Sequence, residues 1–126
     1  MKLENRIIKM VENDLKCYPD WVIKIECNSA LDNRSMNFGS GKSGNSFSSK
    51  VELEAELLME LKRKVITIDK VMERLRDKIR LLIEQRYFLE YSREEILEEN
   101  SISKKQYYTL RNKAFESFAR AMGYIE

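Results

Sequence analysis

A chain of 126 residues in which 43% of the side chains are hydrophobic and 35% charged can bury one core of ordinary size, and with one proline and four glycines its composition is that of a helical protein. No stretch of eighteen apolar residues and no apolar signal core near the N-terminus is present, which argues against membrane insertion or secretion and predicts a cytoplasmic protein. Histidine is absent and Cys17 and Cys27 are the only thiols, too few soft ligands for zinc, so two buried, reduced, unpaired cysteines and no cofactor are expected.

Taken in order, Leu3, Ile7, Ile8, Met10, Val11 and Leu15 recur at helical spacing among Lys, Glu and Asp residues, which predicts an amphipathic helix. Tyr18-Pro19-Asp20 predicts its end, because the residue before a proline is pushed out of the α region and Pro19 suits the first position of a new helix. That second helix carries Trp21, Val22, Ile25, Ala30 and Leu31 to about Asp32, with Trp21 as the anchor between the two. Residues 1–34 therefore read as an N-terminal helical pair. Residues 35–49, dominated by Ser, Gly and Asn, read as a flexible linker. Gly39 to Gly44 looks superficially like a phosphate-binding loop, but it lacks the full spacing, a preceding strand and an immediately following helix.

Residues 50–76 read as one long connecting helix. Leu58, Leu61, Val65, Ile68, Met72 and Leu75 keep a 3-4-3-4-3 spacing, the seam of a heptad repeat. Such a seam packs either on the N-terminal helices of its own chain or on a second copy in a homodimer. The clusters Lys62-Arg63-Lys64 and Arg74, Arg76, Lys78, Arg80 are solvated faces with local acidic partners in Glu60, Glu73 and Asp77, or contacts to DNA phosphates.

Residues 77–126 carry the sharpest signals. Asp77 is the expected N-cap of a helix that turns Ile79, Leu82, Ile83 and Tyr87 inward, with Phe88 and Tyr91 closing a small core against Ile96 and Leu97. Ser92-Arg93-Glu94-Glu95 has the form of a capping box, which starts a short helix near Arg93. Asn100-Ser101 is a turn pair, Ser103 a second N-cap preceded by the staple residue Ile102, and Gly123 a C-terminal cap. Between the last two lies an amphipathic helix. At about 100° per residue, Leu110, Arg111, Ala114, Phe118 and Ala121 fall on the side of Tyr107, which is expected to pack inward. Lys105, Thr109 and Asn112 lie opposite, flanked by Gln106, Tyr108 and Lys113.

The net charge of +2 hides a polarity. Residues 101–126 hold five bases (Lys104, Lys105, Arg111, Lys113, Arg120) against two acids (Glu116, Glu126), and none of the acids falls between Ser101 and Lys113. A short helix, a tight turn and a longer basic helix is the arrangement that places one helix in the major groove of duplex DNA. The same geometry also serves protein docking.

Leu82-Ile83, Tyr87-Phe88, Ser92 with Glu95-Ile96, Ile102-Ser103 and then Tyr107, Arg111, Lys113-Ala114 resemble the region 4 helix-turn-helix of sigma factors. More closely, they are similar to the C-terminal half of the RinA/ArpU family of phage and prophage late-gene regulators. Val11-Glu12, Leu15 and Tyr18-Pro19, followed by a helix, a polar linker and a long helix, resemble the RinA branch, as does the ending Phe118-Ala119, Met122-Gly123. The chain departs from the common pattern at Asn100-Ser101, where related units often have an apolar residue and glycine. The resemblance implies an all-α regulator in a bacterial host cell that binds double-stranded promoter DNA upstream of late genes and acts with the host RNA polymerase. Lys104, Lys105, Gln106, Tyr108, Thr109 and Asn112 would form its reading helix, with Lys113 on phosphate.

Two readings follow. In one, the chain is a sequence-specific DNA-binding activator; in the other, it is a sigma-like or anti-sigma module that docks on RNA polymerase with little direct DNA contact. An enzyme is not expected, because no nucleophile elbow, metal-ligand spacing, histidine base or phosphate loop is present.

Overall fold

The computed structural model describes the backbone of residues 2–38 and 45–126, and side chains at 2–28 and 51–126. The fold is all-α, with no strand among the described residues. Among the described residues five helices follow one another: α1 (Asn5–Phe38), α2 (Asn45–Arg74), α3 (Asp77–Ile83), α4 (Arg93–Asn100) and α5 (Lys104–Met122), with a π-helical turn Glu84–Phe88 continuing α3.

Instead of a helical pair, α1 is one continuous helix with Pro19 inside it. An internal proline costs roughly 3 kcal/mol through a lost hydrogen bond and a clash with the preceding turn, so something must outweigh it. Contacts on both sides of Pro19 do so. Leu15 is fully buried just before it, Tyr18 stacks on Phe88 with ring centroids 4.7 Å apart, and the Tyr18 hydroxyl donates to Asp69 of α2. Trp21, expected between two N-terminal helices, lies instead under the ammonium of Lys64, 5.3 Å from its ring centre. Tertiary packing of α1 along α2 thus keeps the helix continuous through a residue that local rules assign to a boundary.

The stretch expected as a linker is shorter in the fold. Its first residues, Ser35 to Phe38, end α1 and Asn45 to Ser49 begin α2, while the glycine-rich segment 39–44 lies outside the described residues. Of the two partners open to the α2 seam, α1 and α5 of the same chain take it: Ile68 and Met72 are buried, and Leu58, Leu61, Val65 and Leu75 are half-buried.

Arg76, not Asp77, is the N-cap of α3, and Asp77 is its first residue, where a carboxylate favours the helix dipole. Arg80 turns the corner. Its Nε donates to the Met72 carbonyl (2.8 Å) and its Nη2 to those of Glu73 (3.1 Å) and Leu75 (2.9 Å), satisfying acceptors that the end of α2 leaves open. That guanidinium is a structural cap rather than a surface cation.

One cluster forms the core, and neither cysteine belongs to it: Cys17 is half-buried and Cys27 exposed, not buried as expected. Ile7, Val11 and Leu15 of α1, Ile68, Val71 and Met72 of α2, and Ile79, Leu82 and Ile83 of α3 meet Tyr87, Ile96 and the buried face of α5. On α5 that face is Tyr107, Ala114, Phe115, Phe118, Ala119 and Met122. It is rotated about 45° from the direction of Tyr107 at 100° per residue, so Ala121, expected inward, is exposed and Phe115 is fully buried. Two tyrosines tie the ends of the chain into this core. The Tyr87 hydroxyl donates to Glu12 (2.9 Å), and the Tyr124 hydroxyl donates to Asp14, which also faces Lys64 Nζ at 3.7 Å. Burial, then the nearby carboxylate, raises both hydroxyls well above the ordinary tyrosine value.

Candidate nucleic-acid interface

Position and aim of α5 follow from three local devices. Ser92 accepts from the Glu95 amide (3.2 Å) while Glu95 accepts from the Ser92 amide (3.4 Å), a reciprocal box that fixes the start of α4. Ser103 and Gln106 repeat the box at the start of α5, at 3.1 and 2.8 Å. Between them Ser101 adopts the left-handed conformation (φ 52°, ψ 47°), a geometry more often given to glycine. Here Asn100 holds the corner from the side. Its Nδ2 donates to the side-chain Oε1 of Gln85 (3.0 Å) and to the backbone carbonyl of Ile96 (2.9 Å), while Nε2 of buried Gln85 donates to Glu99 (3.1 Å). The Asn100-Ser101 turn is therefore braced by side chains from the π-helical turn and α4.

On α5, Lys105, Thr109 and Asn112 share a band about 60° wide at 100° per residue and all three are exposed. Lys104 lies at one margin and Gln106 and Lys113 at the other, also exposed. Thr109 donates to the Lys105 carbonyl (2.9 Å), and the Gln106 carbonyl oxygen is taken by the Ser103 amide, which leaves the Gln106 NH2 group as an outward donor. Glu116, the one acid on α5, is paired with Arg120 at 3.3 Å.

Tyr108 stands apart from the other candidates. It is half-buried, its hydroxyl accepts from Arg93 Nη1 at 2.7 Å, and the Arg111 guanidinium lies 4.9 Å from its ring centre. The Arg111 guanidinium also covers the Phe115 ring at 4.8 Å and donates to Asn112 Oδ1 at 3.0 Å, so the head itself packs on two rings while its Nη2 reaches the exposed side chain of Asn112.

Cations from other elements border both flanks of α5. On one side Lys78 shares a depression with Lys105, Gln106 and Thr109, and Arg76 and Lys78 line a second one with Lys113. On the other side a polar cleft of about 340 Å³ brings Arg86, Arg93 and Arg111 around Tyr107 and Tyr108. Among the described residues, Arg93 Nε is a buried side-chain nitrogen without a hydrogen-bond partner. Glu94 and Glu12 at the rim offset part of this charge; Glu94 pairs with Arg93 at 2.9 Å.

Arg86 and Arg93 were not singled out by sequence reasoning, since Arg93 and Tyr108 are fifteen positions apart and no periodicity links them. The only trace was the serine of the capping box, which fixes where the first turn of α4 falls. The Arg76 and Lys78 pair was legible as a basic cluster, though not its place beside α5.

No helix among the described residues is long and apolar enough to cross a membrane. Compared with family models, curated proteins and solved structures, the chain matches none.

Proposed function

We propose that the chain is a transcription regulator that binds double-stranded DNA, with α4, the turn and α5 acting as a helix-turn-helix and α5 entering the major groove. The observation that carries this reading is the exposed face of Lys105, Thr109 and Asn112, bordered on both flanks by cations from α2–α3 and α4. A groove-bound helix needs donors and acceptors along its centre to choose bases and positive charge on either side to meet the two phosphate backbones. Lys105, Gln106, Thr109 and Asn112 choose bases; Lys104, Lys113, Lys78 and the Arg86–Arg93–Arg111 group meet phosphates. Tyr108 is a positioning residue that holds Arg93 and Arg111 at the edge. The family resemblance supports the narrower role, activation of phage late genes together with the host RNA polymerase.

A gel-shift titration on phage late-promoter fragments tests this, with affinity falling steeply as salt rises because bound phosphates release counterions. Lys105→Ala lowers discrimination between cognate and scrambled fragments by about 1–3 kcal/mol if it reads a guanine, whereas Lys113→Ala weakens all fragments alike. Failure to retard any such fragment at low salt overturns the reading. Retention on RNA polymerase that survives neutralising Lys104, Lys105 and Lys113 would move the function to protein docking.

A further inference from the structure

The seam that α2 turns toward α1 is not the only apolar line on that helix. At 100° per residue, Val51, Ala55, Met59, Lys62 and Ile66 fall within about 80° of one another, on a side turned roughly 120° from Ile68 and Leu61. Val51, Met59 and Ile66 are 54%, 69% and 54% exposed. Their 4-4-3-4 spacing is that of a second heptad seam, and an aligned row of large apolar side chains left in water marks a contact surface. The charges beside it are sorted by sign. Glu52 and Glu56 flank its first half and Lys62 and Arg63 its second, whereas Lys64 is turned to Asp14 and Trp21 of α1.

We infer that this line is a self-association surface, on which a second copy of the chain lays its own α2 antiparallel. A two-fold axis beside Met59 sets Val51 against the partner's Ile66 and Ala55 against the partner's Lys62 stem. It also sets the acidic half of each helix against the basic half of the other, so that Glu52 and Glu56 face the partner's Arg63 and Lys62. A parallel pairing would oppose like charges along its whole length, and is rejected by the same residues that favour the antiparallel one. Arg63 is held across one turn by Glu60, but both side chains are about half exposed, and such a pair is weak enough to exchange partners. The seam from 51 to 66 is about 22 Å long and none of its side chains belongs to the core, so docking leaves the fold and α5 untouched. The inference does not depend on α5 reading DNA.

Sedimentation equilibrium on the full chain reads the outcome. The unaltered protein is expected at twice the chain mass in the micromolar range. Met59→Glu, which sets two carboxylates beside the axis, returns it to the single-chain mass with an unchanged helical circular dichroism spectrum. The charge variants E52K/E56K and K62E/R63E each lose association at least tenfold, because each sets like charges face to face, and an equal mixture of the two restores the double mass. A single-chain mass for the unaltered protein throughout that range overturns the inference. So does association that Met59→Glu leaves intact, or a mixture of the two charge variants that stays monomeric.

Discussion

The two ends of the α1–α2 pair are built from the same helices and the same kinds of residue, yet they end in different environments. At one end Ile7, Val11, Leu15, Ile68, Val71 and Met72 are buried; at the other Ile23, Val51, Leu53, Leu57 and Met59 are more than half exposed. Hydrophobic content does not separate them. The difference is a third helix: α5 packs on both α1 and α2 at the buried end, bringing Phe115, Phe118 and Met122 into the groove between them. Two amphipathic helices can cover only one side of each other, and the remaining apolar positions are buried only where another element arrives.

The largest expected effect breaks the packed end. Phe115→Ala removes a ring with no exposed surface and should cost about 3–5 kcal/mol in chemical denaturation, whereas Leu57→Ala on the open end should stay within about 0.5 kcal/mol in the monomer. Equal losses would mean that the two ends are packed alike. Pro19→Ala comes next, with the opposite sign. If packing on α2 keeps α1 continuous against the proline, restoring the missing amide should stabilise the chain by about 1–3 kcal/mol; a loss of stability would show that the proline shapes the helix rather than burdening it.

Tyr124→Phe sharpens the comparison at the polar seal of the packed end. It removes the hydroxyl that donates to buried Asp14 and should cost about 1–3 kcal/mol. The same seal sets the alkaline limit. Tyr87 and Tyr124 have folded pKa values raised above 10, and the Tyr18 hydroxyl is pushed up to about 12 by burial and by Asp69. A raised folded value means that the stabilisation is fully present below the unfolded pKa near 10 and is lost as pH rises through the folded value. Thermal unfolding should therefore hold steady to about pH 10 and fall above it, with the tyrosinate absorbance of Tyr18, Tyr87 and Tyr124 appearing together with unfolding. An absorbance rise near pH 10 in the still-folded protein that Tyr87→Phe and Tyr124→Phe each diminish would contradict this. The smallest effect concerns the turn: Ser101→Gly relieves a left-handed serine and should add about 0.5–1 kcal/mol, seen as a raised melting temperature with α5 otherwise unchanged.

Much of the C-terminal unit was legible from the residues. Ser92 with Glu95, Ser103, the Asn100-Ser101 turn and the Gly123 cap all stand where the sequence places them, because capping and turn chemistry act within four positions. Ile79, Leu82, Ile83 and Tyr87 point inward as their spacing predicts. The exposed band of Lys105, Thr109 and Asn112 was readable for the same reason, since helical periodicity fixes which side chains share a face. The exact buried face of α5 was not: periodicity gives relative angles, and Ala121, expected inward, is exposed while Phe115, which the spacing did not pick out, is fully buried, because the absolute direction is set by what α5 packs against.

By itself the sequence determined an all-α chain, the start of α4, both ends of α5, and a basic outward face beside a greasy inward one, all consequences of interactions within one or two helical turns. Only the tertiary structure decided that α1 runs unbroken through Pro19, that Arg80 closes the corner after α2, and that Arg86, Arg93 and Arg111 gather beside Tyr108. Each of those outcomes depends on contacts between residues brought together by packing, where a few kilocalories of burial outweigh a local preference that the sequence states plainly.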